Sequence, residues 1–88
     1  MAVLTLLSRA YCHLCDDMRD AVQPVAQAAG AAVIEVDVDA YPHLETEYGD
    51  RVPVLMLGAP ADGRVLCQYY YEPGCVEAAL RGENPRIG

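Results

Sequence analysis

Lysine is missing altogether: the six basic residues are all Arg, and against 13 acids they leave a net charge of −7 over 88 residues. That balance repels a nucleic-acid backbone or an anionic membrane surface, so neither is expected as a partner. Long apolar runs are lacking too. The N-terminal run Val3 to Leu7 is far shorter than a membrane span, no basic residue precedes it and no small-residue cleavage pattern follows it. A cytoplasmic protein is expected. Internal repeats and low-complexity stretches are also missing, and the length suits one domain over residues 1–88.

What is there is ample material for a core: 53% of residues are hydrophobic and 22% charged, which excludes a disordered chain. The charge is uneven. Glu35, Asp37, Asp39, Glu45, Glu47 and Asp50 fall in one stretch without a base, read as a solvated face that keeps a small protein soluble. Four cysteines in a short chain raise the idea of a two-bridge secreted scaffold. Such scaffolds are loop-rich and poor in core residues, so reactive or buried cysteines fit this chain better.

Val3 to Ser8 is too short for a helix and reads as a buried strand. From Cys15, the positions Met18, Val22, Val25 and Ala29 step by three and four along one helical face, Asp16, Asp17 and Asp20 load the first turns, and Gly30 stops the helix. Pro24 predicts a kink between Asp20 and Pro24. Val33 to Asp39 alternates as an edge strand, with Ile34, Val36 and Val38 inward and the acids Glu35, Asp37 and Asp39 on a wet side. Pro42 to Tyr48 is a short helix stopped by Gly49, and Pro53 to Leu57 is the next strand. A hairpin through Asp62-Gly63 leads to a strand from Val65 to Tyr71, in which Tyr69, Tyr70 and Tyr71 alternate between core and solvent. Gly74 to Leu80 is the last helix, ended by Gly82. The order is βαβαββα, an α/β fold with one four-stranded mixed sheet and helices on both faces.

Cys12-His13-Leu14-Cys15 is a C-x-x-C whose spacing alone is weak evidence, whereas its setting between a buried strand and the first turn of a helix has a physical purpose. Free N–H groups and the positive dipole end stabilise a thiolate on Cys12, while Cys15 lies on the covered face within disulfide reach. Metal ligation is the competing use. With His13 the only near ligand, a closed site would need Cys67, Cys75 or a second chain, so an iron–sulfur or zinc module is the alternative function. A vestigial motif on an interaction domain is a third reading.

On Cys12-His13-Leu14-Cys15, Val52-Pro53 and the element order, the chain resembles the glutaredoxin-like branch of the thioredoxin superfamily, in a compact subgroup. The resemblance implies a thiol–disulfide oxidoreductase with Cys12 as attacking thiol and Cys15 as the thiol that resolves the mixed disulfide. It implies a cis Val52-Pro53 bond facing the active site, with Val52 offering its backbone to an extended substrate. It implies no bound cofactor, glutathione or another thiol reductant as co-substrate, and a protein disulfide or glutathione mixed disulfide as partner of a monomer. Arg9 matches a basic residue that the family uses for a glutathione carboxylate, a role that suits an Arg fork. His13-Leu14 replaces the usual Pro-Tyr, Arg51-Val52 the usual Thr-Val, and Tyr71-Glu72-Pro73-Gly74-Cys75 stands where a Gly-Gly and an acid are usual. Glutathione is therefore expected to bind weakly, with a protein disulfide at least as good.

Among single residues, a protonated His13 would favour a Cys12 thiolate, while the plainer reading is an exposed residue at the helix start. His43 is expected at the surface. Arg9 is placed to offset Asp16 and Asp17. Cys67 is read as a buried small hydrophobe, and Cys75 as a helix-start residue with packing or a regulatory mixed disulfide as alternatives.

Overall fold

The computed structural model describes residues 3–59 and 63–81. Its elements are β1 (Val3–Ser8), α1 (His13–Ala29), β2 (Ala32–Asp37), a 3₁₀ turn (Val38–Ala40), α2 (Pro42–Tyr48), β3 (Val54–Leu57), β4 (Arg64–Gln68) and α3 (Pro73–Leu80). The sheet order is β2-β1-β3-β4. β1 and β2 run parallel, while β1–β3 and β3–β4 are antiparallel, so the sheet is mixed.

The apolar density of β1 and β3 follows from their central places, where both faces must be covered. Leu4, Leu6 and Leu55 pack with Met18, Val22 and Ala26 of α1 and Val76 of α3, whereas Leu7, Val54 and Met56 pack with Leu44 and Tyr48 of α2. Alternation along each strand thus splits one apolar run between two helix layers. Each of these Leu, Val and Met side chains is at most 6% exposed, which stabilises the fold by about 1.5–3 kcal/mol per residue. Thr5, buried among them, donates its hydroxyl to the Gly58 carbonyl at 2.7 Å.

α1 begins two residues before the expected start and stays α-helical through Pro24 to Ala29. The Pro24 nitrogen has no N–H to give the Asp20 carbonyl, and Asp20 is exposed, so the helix continues without leaving a buried carbonyl unpaired there. Gly30 ends the helix at φ 71°, donating its N–H to Gln27, while Ala31 donates to Ala26. That Schellman closure requires the left-handed conformation glycine adopts without strain.

Three expectations are corrected. β2 stops at Asp37, because its carboxylate accepts the Asp39 N–H at 2.9 Å and draws the chain into the 3₁₀ turn. Ile34 is 51% exposed rather than inward, and the acidic side of β2 is not simply wet, since Glu35 is held by Arg19 and Ser8. β4 ends at Gln68, with Leu66 unopposed at a bulge and Tyr69 turned to φ 66°, so the three tyrosines do not alternate along a strand. Tyr69 and Tyr70 are exposed, while Tyr71 packs against the α1–α3 side of the core. The expected turn residue Asp62 and helix stop Gly82 lie outside the described residues.

Candidate redox site

β1 delivers the chain to the site at Ser8, and α1 takes it away from His13. Between them Tyr11 adopts φ 59° and is fully exposed, a conformation disfavoured for a bulky residue. Cys12 is the N-cap of α1: its backbone is extended, and its sulfur accepts the Cys15 N–H at 3.1 Å. The position normally filled by a Ser or Asp oxygen is here filled by sulfur, which satisfies one free donor of the helix end. The sulfur thus sits where the N–H groups and dipole of a 17-residue helix favour negative charge. Cys12 is half-buried and Cys15 only 1% exposed. Their Cα atoms are 5.2 Å apart and the two sulfurs are joined as a disulfide.

Two arginines organise the charge around this loop. Arg19, one turn beyond Cys15, binds Glu35 of β2 through Nε and a terminal nitrogen, both at 2.8 Å, and Asp16 at 2.9 Å with its other terminal nitrogen. Ser8 donates to the same Glu35 at 2.8 Å. The guanidinium holds the Glu35 carboxyl below its usual range, against an opposing effect of burial. Arg9 turns elsewhere: one terminal nitrogen and Nε reach the Asp39 carboxylate, the other terminal nitrogen donates to the Gly49 carbonyl at 3.0 Å, and Glu45 stands 4.0 Å away. Asp16 is therefore offset by Arg19 and not by Arg9. Sequence reasoning missed Arg19 and Glu35; the Asp16–Arg19 spacing of three on a helix was the one local signal for them.

Residues 3–78 match the glutaredoxin-like domain (DUF836). The chain belongs to this family. This glutaredoxin-like domain is similar to protein Ne2328 from Nitrosomonas europaea, at 27% identity and a TM-score of 0.77, with 89% of each chain covered. It is similar also to protein XcR50 from X. campestris, at 37% identity and a TM-score of 0.66 over 92% of this chain and 99% of that one. Mitochondrial thioredoxin 3 from Saccharomyces cerevisiae in its oxidized form, at 20% identity and a TM-score of 0.66, covers 92% of this chain and 77% of its own and shares the fold. A search of the curated proteins gives no match.

In this glutaredoxin-like domain the antiparallel register Leu7↔Val54 brings the start of β3 to the sheet end from which the Cys12 loop departs. Val52 and Pro53 precede that start, joined by a cis peptide bond; Pro53 is buried and Val52 half-buried. His13 is exposed in the first turn of α1. The fold brings Cys12 and Cys15 together, holds Arg9 against Asp39, and leaves the other two cysteines apart from them. Cys67 is 3% exposed in β4, where burial pushes its thiol up, and Cys75 is exposed near the start of α3. Among the described residues no helix is long and apolar enough to cross a membrane, and no group of three His, Cys, Asp or Glu is placed to hold a metal ion.

Proposed function

We propose that this glutaredoxin-like domain reduces disulfides with the Cys12–Cys15 dithiol. The observation that carries the proposal is the Cys12 sulfur at the N-cap of α1, bonded by the Cys15 N–H and within disulfide reach of a buried Cys15. The reduced Cys12 thiolate attacks one sulfur of a substrate disulfide, forms a mixed disulfide and expels the other substrate sulfur as thiolate. Cys15 then gives up its proton and attacks the Cys12 sulfur. The second substrate thiolate leaves, and the Cys12–Cys15 disulfide remains. Two electrons have passed to the substrate, and glutathione or another thiol reductant returns them, so no resident cofactor is needed.

The substrate is a protein disulfide or a glutathione mixed disulfide, met by a monomer in a reducing compartment such as the cytoplasm. Val52 and Pro53 are the backbone against which an extended substrate lies, at the sheet end shared with Cys12. His13 borders Cys12 in the first helical turn, and Arg9 serves a substrate carboxylate only by exchanging Asp39 for it.

Equilibration in glutathione redox buffers, followed by limiting iodoacetamide and mass spectrometry, tests the reading. A reversible Cys12–Cys15 disulfide with Cys12 alkylated first is expected. First labelling of Cys15 or Cys75, or a brown or stoichiometrically zinc-loaded anaerobic preparation, would overturn it.

A further inference from the structure

Arg9 follows β1 three residues before Cys12 and is the arginine nearest to it in sequence, yet each of its guanidinium nitrogens already holds a partner within the chain. One edge of the fork is taken by Asp39, a terminal nitrogen by the Gly49 carbonyl, and Glu45 stands 4.0 Å behind. Asp39 itself is set by its neighbours: the Asp37 carboxylate caps its N–H, so the 3₁₀ turn presents its side chain to Arg9. Glu45 comes from the first turn of α2 and Gly49 from its C-terminal end, so the 3₁₀ turn and α2 converge on one guanidinium. The side chains are about one-third and one-half exposed, which leaves the pair within reach of a substrate.

We infer that Asp39 determines substrate specificity: by occupying Arg9 it turns the dithiol away from disulfides that carry carboxylates and toward neutral or cationic ones. A carboxylate arriving beside Cys12 finds the Arg9 fork engaged and meets Asp39 and Glu45 as like charges. To bind it must displace a preorganised internal carboxylate, whereas a neutral or cationic disulfide has no such competitor. Glutathione, a carboxylate-bearing thiol, is thereby disfavoured by the chain's own side chain. This inference rests on the proposed disulfide reduction by Cys12 and names its substrate class.

The test is a charge series of small disulfides: glutathione disulfide, 2-hydroxyethyl disulfide and cystamine, each mixed with the pre-reduced protein in single-turnover experiments at low ionic strength. Because the leaving thiols differ in acidity, each variant is compared with the wild type on the same substrate. Asp39→Asn is expected to raise the ratio of glutathione-disulfide to hydroxyethyl-disulfide rate constants by about fivefold to tenfold, the scale of one charge-assisted contact. It should lower the cystamine ratio. The combined variant Arg9→Gln with Asp39→Asn is expected to lose the glutathione gain, since the freed fork is what the carboxylate uses. An unchanged ratio in Asp39→Asn, or a gain that persists without Arg9, overturns the specificity role while leaving disulfide reduction intact. A wild type inert toward all three disulfides overturns the oxidoreductase reading and this inference with it.

Discussion

Two cysteines of this chain lie at the beginnings of helices, and the two places differ in what surrounds the sulfur. Cys12 caps the 17-residue α1, accepts the Cys15 N–H and has a second thiol with its Cα 5.2 Å away. Cys75 is the third residue of the eight-residue α3, whose N-cap Glu72 makes no side-chain cap, and it stands exposed and free. Cys67 is buried against Val76, the neighbour of Cys75, with a thiol that burial pushes up. The same residue type therefore gives a capped, partnered sulfur at one helix start, an open one at the other, and an inert one in the core. Position relative to free N–H groups and to a second sulfur decides the chemistry.

Serine substitutions break the comparison most directly. Cys12→Ser keeps a capping atom for α1 but removes the nucleophile, so single-turnover reduction of 2-hydroxyethyl disulfide should fall by at least about 1,000-fold. Cys75→Ser should leave that rate within about twofold. Equal losses in both variants would erase the distinction drawn between the two helix starts. Cys15→Ser sharpens the division of labour within the first pair. The Cys12 mixed disulfide with a protein substrate should persist, visible as a stable adduct by mass spectrometry, and turnover on that substrate should drop about 100-fold.

How far this was legible follows from the range over which each feature is set. β1, α1 with Gly30, and α2 are fixed by local periodicity and stop residues, and the C-x-x-C falls at a strand-to-helix junction that local pattern alone locates. The end of β2 was not readable, because Asp37 looks like one more alternating acid until its carboxylate is seen to cap Asp39. The Tyr69 turn was missed for a similar reason: its N–H is claimed by the Pro53 carbonyl at 2.9 Å and its hydroxyl by the Asp50 carbonyl at 3.1 Å, partners far off in sequence. The ion pairs Arg9–Asp39 and Arg19–Glu35 join residues 30 and 16 positions apart, which no spacing rule anticipates. All six acids of the stretch are exposed, as solvation requires, but Glu35 and Asp39 also serve as partners of the two arginines.

Stability separates the remaining two cysteines. Cys67→Ala opens a small void among Leu55, Val76 and their neighbours and should cost about 1–2 kcal/mol in urea unfolding. Cys75→Ala, on an exposed position, should stay within about 0.5 kcal/mol. In the folded wild type Cys67 should also resist iodoacetamide at pH 8 and react once urea unfolds the chain, because both burial and a raised thiol value keep it protonated.

The smallest expected effect concerns what anchors the reactive pair. α1 is tied to β2 by Arg19, whose two hydrogen bonds to Glu35 hold that carboxyl below its usual range. A carboxyl lowered in the folded state stabilises the fold fully above its unfolded value, about 4.3, and the contribution is lost as pH falls through the lowered native value. Both side chains are 36% exposed, so solvent screening limits the gain to about 0.5–1 kcal/mol. Glu35→Gln should therefore unfold more easily than the wild type at pH 6 by that amount, and the gap should shrink and close as the medium is acidified below the ordinary carboxylate range. A Glu35→Gln gap independent of pH would mean that the anchor is packing and not charge.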